Sequence, residues 1–573
     1  MTGRSEVQAA AMQPLNPLYY LHNFLFATDW IRTRYEDMLD ENELRFLSQF
    51  PCLPRPAQAL LVRMLLRKGP WFLECQLRYQ EIGDVRVAAQ SLLEAGFLET
   101  GQPMGIEILF ALHSKAELLA LFPGAPIHPA MRKAQMLEGM RTQYDREQSY
   151  AEWNPRSPYA AWRVTVGALC ERFRLMFFGN LRQGWAEFVL ADLGIFHYEK
   201  VPFDRASRGF ESRAAVDGYL ALHRCRDALD GAGSLQALLA DAVACPAPNA
   251  WLEQRRAKLL LRIGQACERR QDWTLADQAY ARSHHPDARH RRARVCERAG
   301  RLVEALALAQ EAHAAPQNEQ EAQRAARMLA RLQRSLGYAT RPTAGRASTA
   351  PTTQIEVQLD RPSEPMAVEA LLCEHWSTLP APVFFVENAL LNSLFGLLCW
   401  PAIFAPLPGA FFQPFQSGPA DLDAPDFVQR RSTEFAACLS HLHDASYQGV
   451  LRERFVSKRG LQSPFVSWGV ITPQLLELAL ACIPPEHLRR IFVRMLQNLK
   501  ANRSGFPDLV RFWPKEGRYA LVEVKAPGDR LQDNQIRWLH HFGAHGIPAS
   551  VCHVRWREAA PSAHLAPPTA LQA

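Results

Sequence analysis

The spacing of hydrophobic residues predicts helices along most of the chain and short strands near its C-terminal end. Apolar positions recur every three or four residues almost throughout 157–337, which is the period of amphipathic helices. In a few short stretches the period changes to two, which predicts strands; these stretches are 354–358, 508–513, 518–525 and 549–554. We therefore expect a multidomain, mostly helical protein with an α/β region at its C-terminal end.

The two central strands are separated by a turn, which sets their pairing. Pro514 to Gly517 has turn chemistry, and counting outward from such a loop places Asp508 opposite Glu523. Their Cβ atoms would be about 5 Å apart, and alternation puts Lys525 on the same face. Two opposed carboxylates repel, so a hard divalent cation is expected between them, with the lysine positioning or activating the attacking water. The alternative is a surface hairpin with a solvated ion pair.

A helix is predicted over 531–544, directly after the hairpin, and one polar residue interrupts its apolar stripe. Leu531, Trp538 and Phe542 have the spacing of a buried helix face, and Gln535 falls among them. Its amide can contact a metal-bound water or a phosphate. The alternative is a buried glutamine bonded to the backbone.

A second carboxylate anomaly lies in the apolar stretch 383–400, which is predicted to contain a helix. Leu391, Leu394 and Leu398 form a core-facing stripe, and Glu387 falls one turn before it. A buried carboxylate needs a partner, and a metal shared with the hairpin would supply one. The alternative is a first-turn glutamate that the helix dipole favours.

Composition excludes several classes of protein. The chain is 48% hydrophobic and 21% charged, and its twelve cysteines contain no C-x-x-C pair, which argues against zinc fingers and a disulfide framework. We expect no membrane span, because no apolar run approaches about 18 residues, and the polar N-terminal residues lack the core of a signal peptide. We expect a cytoplasmic protein, nucleoid-associated if bacterial. The net charge of +7 is compatible with a polyanionic partner.

Basic residues recur on predicted helices. A helix over 57–67, a second over 84–95 and a hairpin entry at 96–98 resemble a helix-turn-helix with a wing, although a small helical domain with exposed arginines has the same pattern. Cations that can contact DNA phosphates lie on this and later helices: Arg63, Arg67, Arg132, Lys133, Arg490, Arg494 and Arg503. A charge on a helix can equally be solvated surface.

A short internal repeat marks the central helical region. The residues at 266–269 (Ala-Cys-Glu-Arg) are echoed at 295–298 (Val-Cys-Glu-Arg), in two helix-turn-helix units of tetratricopeptide-like pattern. Between Trp251 and Gly300 there are twelve Lys or Arg against six Asp or Glu. This predicts either a solvated helical surface or a basic face toward DNA.

The motifs around the hairpin resemble those of a known nuclease family. Arg503-Ser-Gly-Phe-Pro-Asp-Leu509, Val522-Glu-Val-Lys525 and Gly528-Asp-Arg-Leu531, with Gln535 and Trp538, resemble the VRR-NUC domain of the PD-(D/E)XK nucleases. The chain as a whole resembles the Fanconi-anaemia-associated nuclease family in its bacterial form.

The resemblance implies chemistry and substrates that spacing alone does not. It implies Mg²⁺ or Mn²⁺ held by Glu387, Asp508, Glu523 and the backbone carbonyl of Val524, with catalysis that also uses Lys525 and Gln535. It further implies 5′-flap endonuclease and 5′-to-3′ exonuclease activity on branched double-stranded DNA, in interstrand cross-link repair. Products would carry a 5′-phosphate and a 3′-hydroxyl. The residues do not identify protein partners.

These observations predict a domain order. We expect an N-terminal helical, winged-helix-like DNA-binding domain, a SAP-like module, tetratricopeptide-like helices, a linker, a restriction-endonuclease-like α/β nuclease domain and a disordered tail. The ranges are 1–112, 113–150, 151–338, 339–365, 366–558 and 559–573. Two alternatives stay open: a junction resolvase or restriction-type enzyme with the same core, and a non-catalytic tetratricopeptide-like scaffold.

Overall fold

The computed structural model describes residues 16–185, 196–231, 233–338, 353–362 and 364–557. The predicted tail at 559–573 and most of the predicted linker lie outside these residues. The chain divides into two compact units. The first comprises 1–197, 202–223 and 407–415, and the second comprises 198–201, 224–406 and 416–573. The prediction of a multidomain, mostly helical protein with a C-terminal α/β domain is confirmed.

The first unit is helical, with one small sheet. Its helices are α1 (Tyr19–Tyr35), α2 (Glu41–Gln49), α3 (Arg55–Leu65), α4 (Val85–Glu94), α5 (Ile106–Leu112), α6 (Lys115–Leu121), α7 (Lys133–Arg141), α8 (Tyr150–Trp153), α9 (Gly167–Phe178) and α10 (Arg213–Ala228), of which the last continues into the second unit. Short 3-10 turns cover Glu36–Met38, Phe50–Cys52 and Glu74–Gln76. The strands are β1 (Trp71–Leu73), β2 (Leu98–Thr100) and β3 (Ala161–Val164), in the antiparallel order β1-β3-β2.

The predicted wing differs from the observed sheet. The entry to a hairpin at 96–98 becomes β2, which pairs with β3 in the register Leu98↔Val164 instead of with the segment that follows it. The partner strand lies more than sixty residues away, and local patterning carries no information about such a pairing. Helices α3 and α4 form as the apolar spacing predicts.

Side-chain caps fix where several of these helices begin. Asp40, Ser114 and Ser149 each accept a hydrogen bond from the backbone amide three residues on, and the glutamate at that position bonds back to the capping residue's amide. This reciprocal arrangement satisfies two amides that the helix itself leaves unpaired. Helices α2, α6 and α8 therefore begin where the sequence supplies Ser or Asp followed by Glu.

The second unit contains a series of helices in which each contacts the next. They are α11 (Leu235–Ala244), α12 (Ala250–Arg269), α13 (Trp273–Ala281), α14 (Ala288–Arg298), α15 (Leu302–Ala314) and α16 (Glu319–Ser335). The echoed Cys267 and Cys296 are both buried. Gly264 allows close packing, because a Cβ at this position would lie 2.5 Å from the ring of Tyr280.

A five-stranded mixed sheet forms the centre of the C-terminal region. Its strands are β4 (Thr353–Leu359), β5 (Val383–Phe385), β6 (Leu509–Trp513), β7 (Arg518–Lys525) and β8 (Ala549–Trp556), in the order β4-β8-β7-β6-β5. The β4–β8 and β8–β7 pairs are parallel, and the other two are antiparallel. Strand β4 lies inside the predicted linker 339–365.

Helices surround this sheet. They are α17 (Val368–Trp376), α18 (Leu390–Leu398), α19 (Trp400–Ile403), α20 (Phe427–Arg430), α21 (Ser432–Ser440), α22 (Tyr447–Ser457), α23 (Pro473–Cys482), α24 (Pro485–Gln497), α25 (Leu499–Asn502) and α26 (Asp533–Ala544), with a 3-10 turn at Pro514–Glu516. Among the described residues, none of the helices has the length and apolar character needed to cross a membrane.

The two faces of the sheet differ in character because side chains alternate along each strand. On one face Leu509, Val522, Val524 and Cys552 belong to a core cluster that also contains Leu372 of α17. The intervening positions point to the opposite face. The opposite face of the hairpin is also apolar toward the turn, where Val510, Phe512, Tyr519 and Leu521 are buried, and it gathers Asp508, Glu523 and Lys525 at the far end.

Candidate active site

The hairpin has the register that the turn predicts. Trp513 pairs with Arg518, and the pairing continues without a bulge to Leu509 with Val522. The next residue outward, Asp508, is held by its backbone carbonyl, which accepts a hydrogen bond from the amide of Val386 at 2.8 Å. Asp508 therefore lies across from Glu523, as expected.

Four polar side chains meet on this face. Asp508, Glu523 and Lys525 are buried, with exposed fractions of 7%, 1% and 8%. Lys525 Nζ lies 2.8 Å from Glu523 Oε1, and Gln535 Nε2 donates to the same oxygen at 2.6 Å. Asp508 Oδ2 accepts a hydrogen bond from the amide of Val524 at 2.8 Å. The alternative of a solvated surface hairpin is wrong, because these groups are buried.

Gln535 joins the site to the helix that follows it. Its Oε1 accepts from Lys525 Nζ at 3.2 Å and from the backbone amide of Gln532 at 2.8 Å. The amide side chain thus contacts both a carboxylate and the lysine while it caps the start of α26. The backbone contact of the alternative is present, although the side chain is half-buried, and contact of the amide with a water or a phosphate stays a prediction.

Burial shifts the pKa of both carboxyls upward. Loss of hydration raises the pKa of Asp508 to about 6, against a lowering by the Val524 amide, and the charge of Glu387 raises it further. Burial likewise raises the pKa of Glu523 to about 7; the charge of Asp508 adds to this effect, while Lys525 opposes it. Both carboxyls therefore keep their protons to a higher pH than an ordinary Asp or Glu does.

The donor chemistry of this pair fits a hard divalent cation. Glu523 Oε2 is buried and has no hydrogen-bond partner among the described residues, although buried carboxylate oxygens are normally bonded. Carboxylate oxygens are the ligands that Mg²⁺ and Mn²⁺ prefer. Within the described ranges, however, no three His, Cys, Asp or Glu side chains are grouped closely enough to hold a metal ion. The structure thus supplies two carboxylates and not a complete ligand set.

Glu387 does not lie where the sequence predicts. Helix α18 begins at Leu390, and Glu387 lies in the turn between β5 and this helix, with an exposed side chain. The prediction of a buried glutamate on the helix stripe is wrong, because the first residues of the apolar stretch pair with β6 as a strand. Its charge still acts on both Asp508 and Glu523. Its role as a metal ligand stays a prediction.

Asn388 is a positioning residue that periodicity does not reveal. It has a φ of +49°, and its Oδ1 accepts a hydrogen bond from the amide of Phe506 at 3.2 Å. Asn392 Nδ2 donates to the carbonyls of Asn388 at 2.7 Å and Arg503 at 2.8 Å. These bonds tie the turn that carries Glu387 to the segment that leads into Asp508. Asparagine tolerates the left-handed region, which is the only sequence signal for this turn.

Carboxylates of this chain pair with four of the predicted DNA-contacting cations. Arg490 pairs with Glu486 at 2.7 Å and Arg503 with Asp423 at 3.8 Å, and the other two, Arg63 and Arg494, are the least exposed of the four. Arg63 Nε donates to Glu81 at 3.0 Å, and its guanidinium lies 4.1 Å from the ring centroid of Tyr20. Arg494 is 8% exposed and donates to both carboxylate oxygens of Glu319, at 3.0 and 2.6 Å. We no longer expect these two arginines to be primary phosphate contacts, because both guanidinium groups are occupied.

The other predicted cations are more accessible. Arg67, Arg132 and Arg490 have exposed side chains, whereas Lys133 and Arg503 are half-buried. Lys133 Nζ donates to the carbonyl of His113 at 2.6 Å. Contact between these five residues and DNA stays a prediction.

Three family descriptions match the chain. "VRR-NUC domain" matches residues 442–556, which include the hairpin, α26 and β8. "FAN1, HTH domain" matches 18–99, and "Fanconi anemia-associated nuclease SAP domain" matches 103–153. The predicted helix-turn-helix region, SAP-like module and VRR-NUC domain are thereby confirmed. Nucleases with a VRR-NUC domain are generally metal-dependent.

Curated relatives and solved structures resemble the whole chain. The "Fanconi-associated nuclease 1 homolog" of Pseudomonas aeruginosa is 48% identical over 540 residues, which cover 94% of this chain and 96% of that protein. The Arabidopsis thaliana homologue is 23% identical over 620 residues, which cover 94% of this chain and 67% of that protein. A crystal structure described as paFAN1 bound to 2nt 5′flap DNA with gap has a TM-score of 0.87 and 47% identity, covering 96% of this chain and all of that one.

A second solved structure, paFAN1 bound to 1nt 5′flap DNA with gap, gives a TM-score of 0.86 at 48% identity and covers 95% of this chain and all of that one. The identity to the Pseudomonas relative extends over almost the full length of both proteins. The chain therefore belongs to the Fanconi-associated nuclease 1 family, and it is a nuclease.

Proposed function

We propose that this nuclease hydrolyses phosphodiester bonds in 5′-flap and other branched DNA, with Mg²⁺ or Mn²⁺ as its cofactor. The observation that carries the proposal is the buried group of Asp508, Glu523 and Lys525, which Gln535 joins by hydrogen bonds and in which one carboxylate oxygen lacks a partner among the described residues. A non-catalytic scaffold would gain nothing from burying two repelling carboxylates beside one lysine.

The metal would bind between the hairpin carboxylates. Asp508 and Glu523 provide the anionic oxygens, and Glu387 and the carbonyl of Val524 are proposed to complete the ligand set. A divalent cation at this place supplies positive charge to the scissile phosphate. Gln535 holds the side chains of Glu523 and Lys525 in place, and Asn388 holds the backbone amide of Phe506, two residues before Asp508.

Lys525 is the group best placed to act on the attacking water. Its ammonium is fixed between Glu523 Oε1 at 2.8 Å and Gln535 Oε1 at 3.2 Å, so two of its three N–H groups are directed. The third is left to hold a water or a phosphate oxygen. Attack on phosphorus then releases a 3′-hydroxyl and leaves a 5′-phosphate on the other fragment.

The choice of DNA substrate follows from the relatives. Two solved structures of 47% and 48% identity are described as bound to 5′-flap DNA. We propose that the helix-turn-helix and SAP regions bind duplex DNA in this chain, that the reaction includes 5′-to-3′ exonuclease steps, and that it serves interstrand cross-link repair. DNA cleavage would take place in the cytoplasm, and at the nucleoid in a bacterial cell.

The test compares Lys525→Ala with Lys515→Ala, which changes an exposed lysine on the loop of the same hairpin. Lys525→Ala should lower cleavage of a 5′-flap substrate by roughly 10²–10⁴-fold, as expected for a lost proton-transfer or water-positioning group. DNA affinity should stay nearly unchanged, because many distant cations provide it. Lys515→Ala should leave both unchanged.

Product analysis completes this test. Cleavage of a flap in preference to a four-way junction supports the proposal, whereas the opposite preference supports a junction resolvase. Near wild-type cleavage by Lys525→Ala would rule out the proposed role of this residue. No cleavage by the wild type with either Mg²⁺ or Mn²⁺ would favour the scaffold alternative.

A further inference from the structure

The last helix of the repeat region carries a polar stripe that contacts the helices of the nuclease domain. Glu319, Gln323 and Arg327 follow one another at intervals of four residues on α16, so they lie on one face. All three bond to residues of α24 or α26, within the second unit. The stripe therefore connects the helical repeats to the elements beside the site.

Two of these residues hold the first residue of α26. Arg327 donates to both carboxylate oxygens of Asp533, at 2.9 and 2.6 Å. Gln323 Nε2 donates to the same carboxylate at 3.3 Å, and its Oε1 accepts from Arg537 one turn later on α26, at 3.1 Å. The N-terminal turn of α26 is thus bonded to α16 at two successive positions.

A third residue of the stripe, Glu319, reaches α26 indirectly, through Arg494 of α24. Glu319 accepts both hydrogen bonds of Arg494 on α24, and this guanidinium lies 5.2 Å from the ring centroid of Trp538 on α26. Arg494 and Trp538 are buried. We call this set the polar seam; it consists of Glu319, Gln323, Arg327, Arg494, Asp533 and Arg537.

One residue of the polar seam, Asp533, is close in sequence to a residue of the candidate active site. Asp533 is two residues before Gln535, whose side chain bonds to Glu523 and Lys525 and also to the amide of Gln532. Because Gln535 is bonded to the start of its own helix, a displacement of that start moves the amide within the site. An exposed ion pair contributes little to global stability, but a two-bond arginine–carboxylate contact fixes geometry.

We propose that Arg327, acting through Asp533, is a positioning residue that holds the first turn of α26 and so places Gln535 against Glu523 and Lys525. This rests on the proposed function of the hairpin site. The helical repeats then have a direct part in the geometry of catalysis, in addition to any contact with DNA.

The experiment compares Arg327→Ala with Arg331→Ala in the full chain. Arg331 lies one turn further on the same stripe of α16 and makes an equivalent two-bond contact, at 2.8 and 2.7 Å, with Glu297 of α14. The two side chains are similarly exposed, at 56% and 50%. Each variant loses one two-bond surface ion pair, through Nη1 and Nη2 of Arg327 or through Nε and Nη2 of Arg331, but only the first pair touches α26.

Arg327→Ala should lower kcat by about tenfold while KM for flap DNA stays within about twofold, since a small misplacement of a positioned group acts mainly on the chemical step. Arg331→Ala should change neither. In the Asp533→Asn background, Arg327→Ala should cause no further loss, because its partner is already neutral. Arg327→Lys should restore part of kcat.

Hydrogen exchange provides a readout that does not depend on activity. Amides in 532–538 should exchange faster in Arg327→Ala than in the wild type, and no faster in Arg331→Ala. Equal losses of kcat in the two variants, an effect confined to KM, or unchanged exchange would each overturn the inference. If the wild type cleaves no DNA, the proposed function fails, while the exchange comparison still tests the seam.

Discussion

At the residue scale, burial determines the charge state of Asp508 and Glu523 more than their mutual repulsion does. Loss of hydration is the largest cause of both upward pKa shifts. The charge of Asp508 comes next for Glu523, whereas the charges that raise the pKa of Asp508 are those of Glu387 and Glu369. Lys525 opposes the shift of Glu523 and does not cancel it. A bound cation would reverse this balance, because it favours the ionised form of both groups.

We expect the metal-free protein to lose stability as the pH rises from about 4 to about 7. Because both folded pKa values exceed the ordinary ones, the folded state retains protons that the unfolded chain releases. The stabilisation is complete below the ordinary pKa values of 3.8 and 4.5 and is lost as the pH passes about 6 and about 7. A shift of this size corresponds to a few kcal/mol at most.

Thermal melting in a chelator checks this prediction. Glu523→Gln cannot ionise, so its Tm minus that of the wild type should increase by several degrees between about pH 5 and about pH 8. A saturating divalent cation should reduce the pH dependence of the wild type. A Tm difference that does not change with pH would contradict the assigned pKa shifts.

Glu387 offers a second test at this scale. If it ligates the metal, Glu387→Gln should lower the affinity for Mn²⁺ by about tenfold or more, because an anionic oxygen is lost. The Tm of the metal-free protein should rise or stay level, since less negative charge surrounds the hairpin. Titration calorimetry with Mn²⁺ alone measures the first effect without any DNA.

Glu369→Gln is the matched control for that titration. The charge of Glu369 raises the pKa of Asp508, as that of Glu387 does, so removing it reproduces the electrostatic change at this carboxylate. The control should weaken Mn²⁺ binding only slightly. Equal losses of affinity in the two variants would leave Glu387 as a distant charge and remove it from the ligand set.

At the scale of elements, the sequence predicts helices, strands and the hairpin register, which depend on nearby residues. It does not predict strand pairings between distant parts of the chain. The register of Asp508 and Glu523 follows from a four-residue turn and strand alternation, and the structure has that register. The strand predicted at 354–358 is present as β4, but its place in the sheet depends on a partner far along the chain, and so does the formation of β5, which the sequence does not predict. A continuous apolar run does not distinguish a strand from a helix. The sequence therefore assigns Glu387 to a helix, whereas it lies in the turn between β5 and α18.

Two glycines with positive φ test how the backbone holds the hairpin. Gly505 has a φ of +87°, and a Cβ there would lie 2.8 Å from the side chain of Asn534, whereas Gly517 has a φ of +60° and open space around it. Gly517→Ala should therefore cost about 1 kcal/mol, from backbone strain alone. Gly505→Ala should cost roughly 2–3 kcal/mol, because the clash adds to the strain.

The same pair should differ in activity. Gly505 leads directly into Asp508, so an alanine here displaces a candidate ligand, while an alanine at the tip of the hairpin does not. Urea unfolding and flap cleavage measured side by side give both effects. Equal behaviour of the two variants would show that the approach to Asn534 has no part in the site.

At the scale of the whole molecule, the excess of positive charge is small, so DNA binding depends more on where the unpaired cations lie than on how many cations there are. The chain has 65 Lys and Arg against 58 Asp and Glu. Many arginines are held by carboxylates of the same chain, as Arg63 is by Glu81 and Arg494 by Glu319. Sequence counts overestimate the cations available to DNA, because ion pairing within a fold cannot be read from them.

The exposed cations of the N-terminal unit should determine part of the salt dependence of DNA binding. Each phosphate contact contributes about 0.9 to the slope of log affinity against log salt, through counterion release. If Arg67 and Arg132 contact the duplex, their combined replacement by alanine should lower this slope by about 2 and leave kcat on bound flap DNA nearly unchanged.

Arg452→Ala is the control, because Glu477 already neutralises this exposed arginine through two bonds of 2.8 Å. Fluorescence anisotropy over a series of salt concentrations measures all three slopes. A slope in the double variant equal to that of the wild type would mean that Arg67 and Arg132 do not contact DNA, and that other cations provide the affinity.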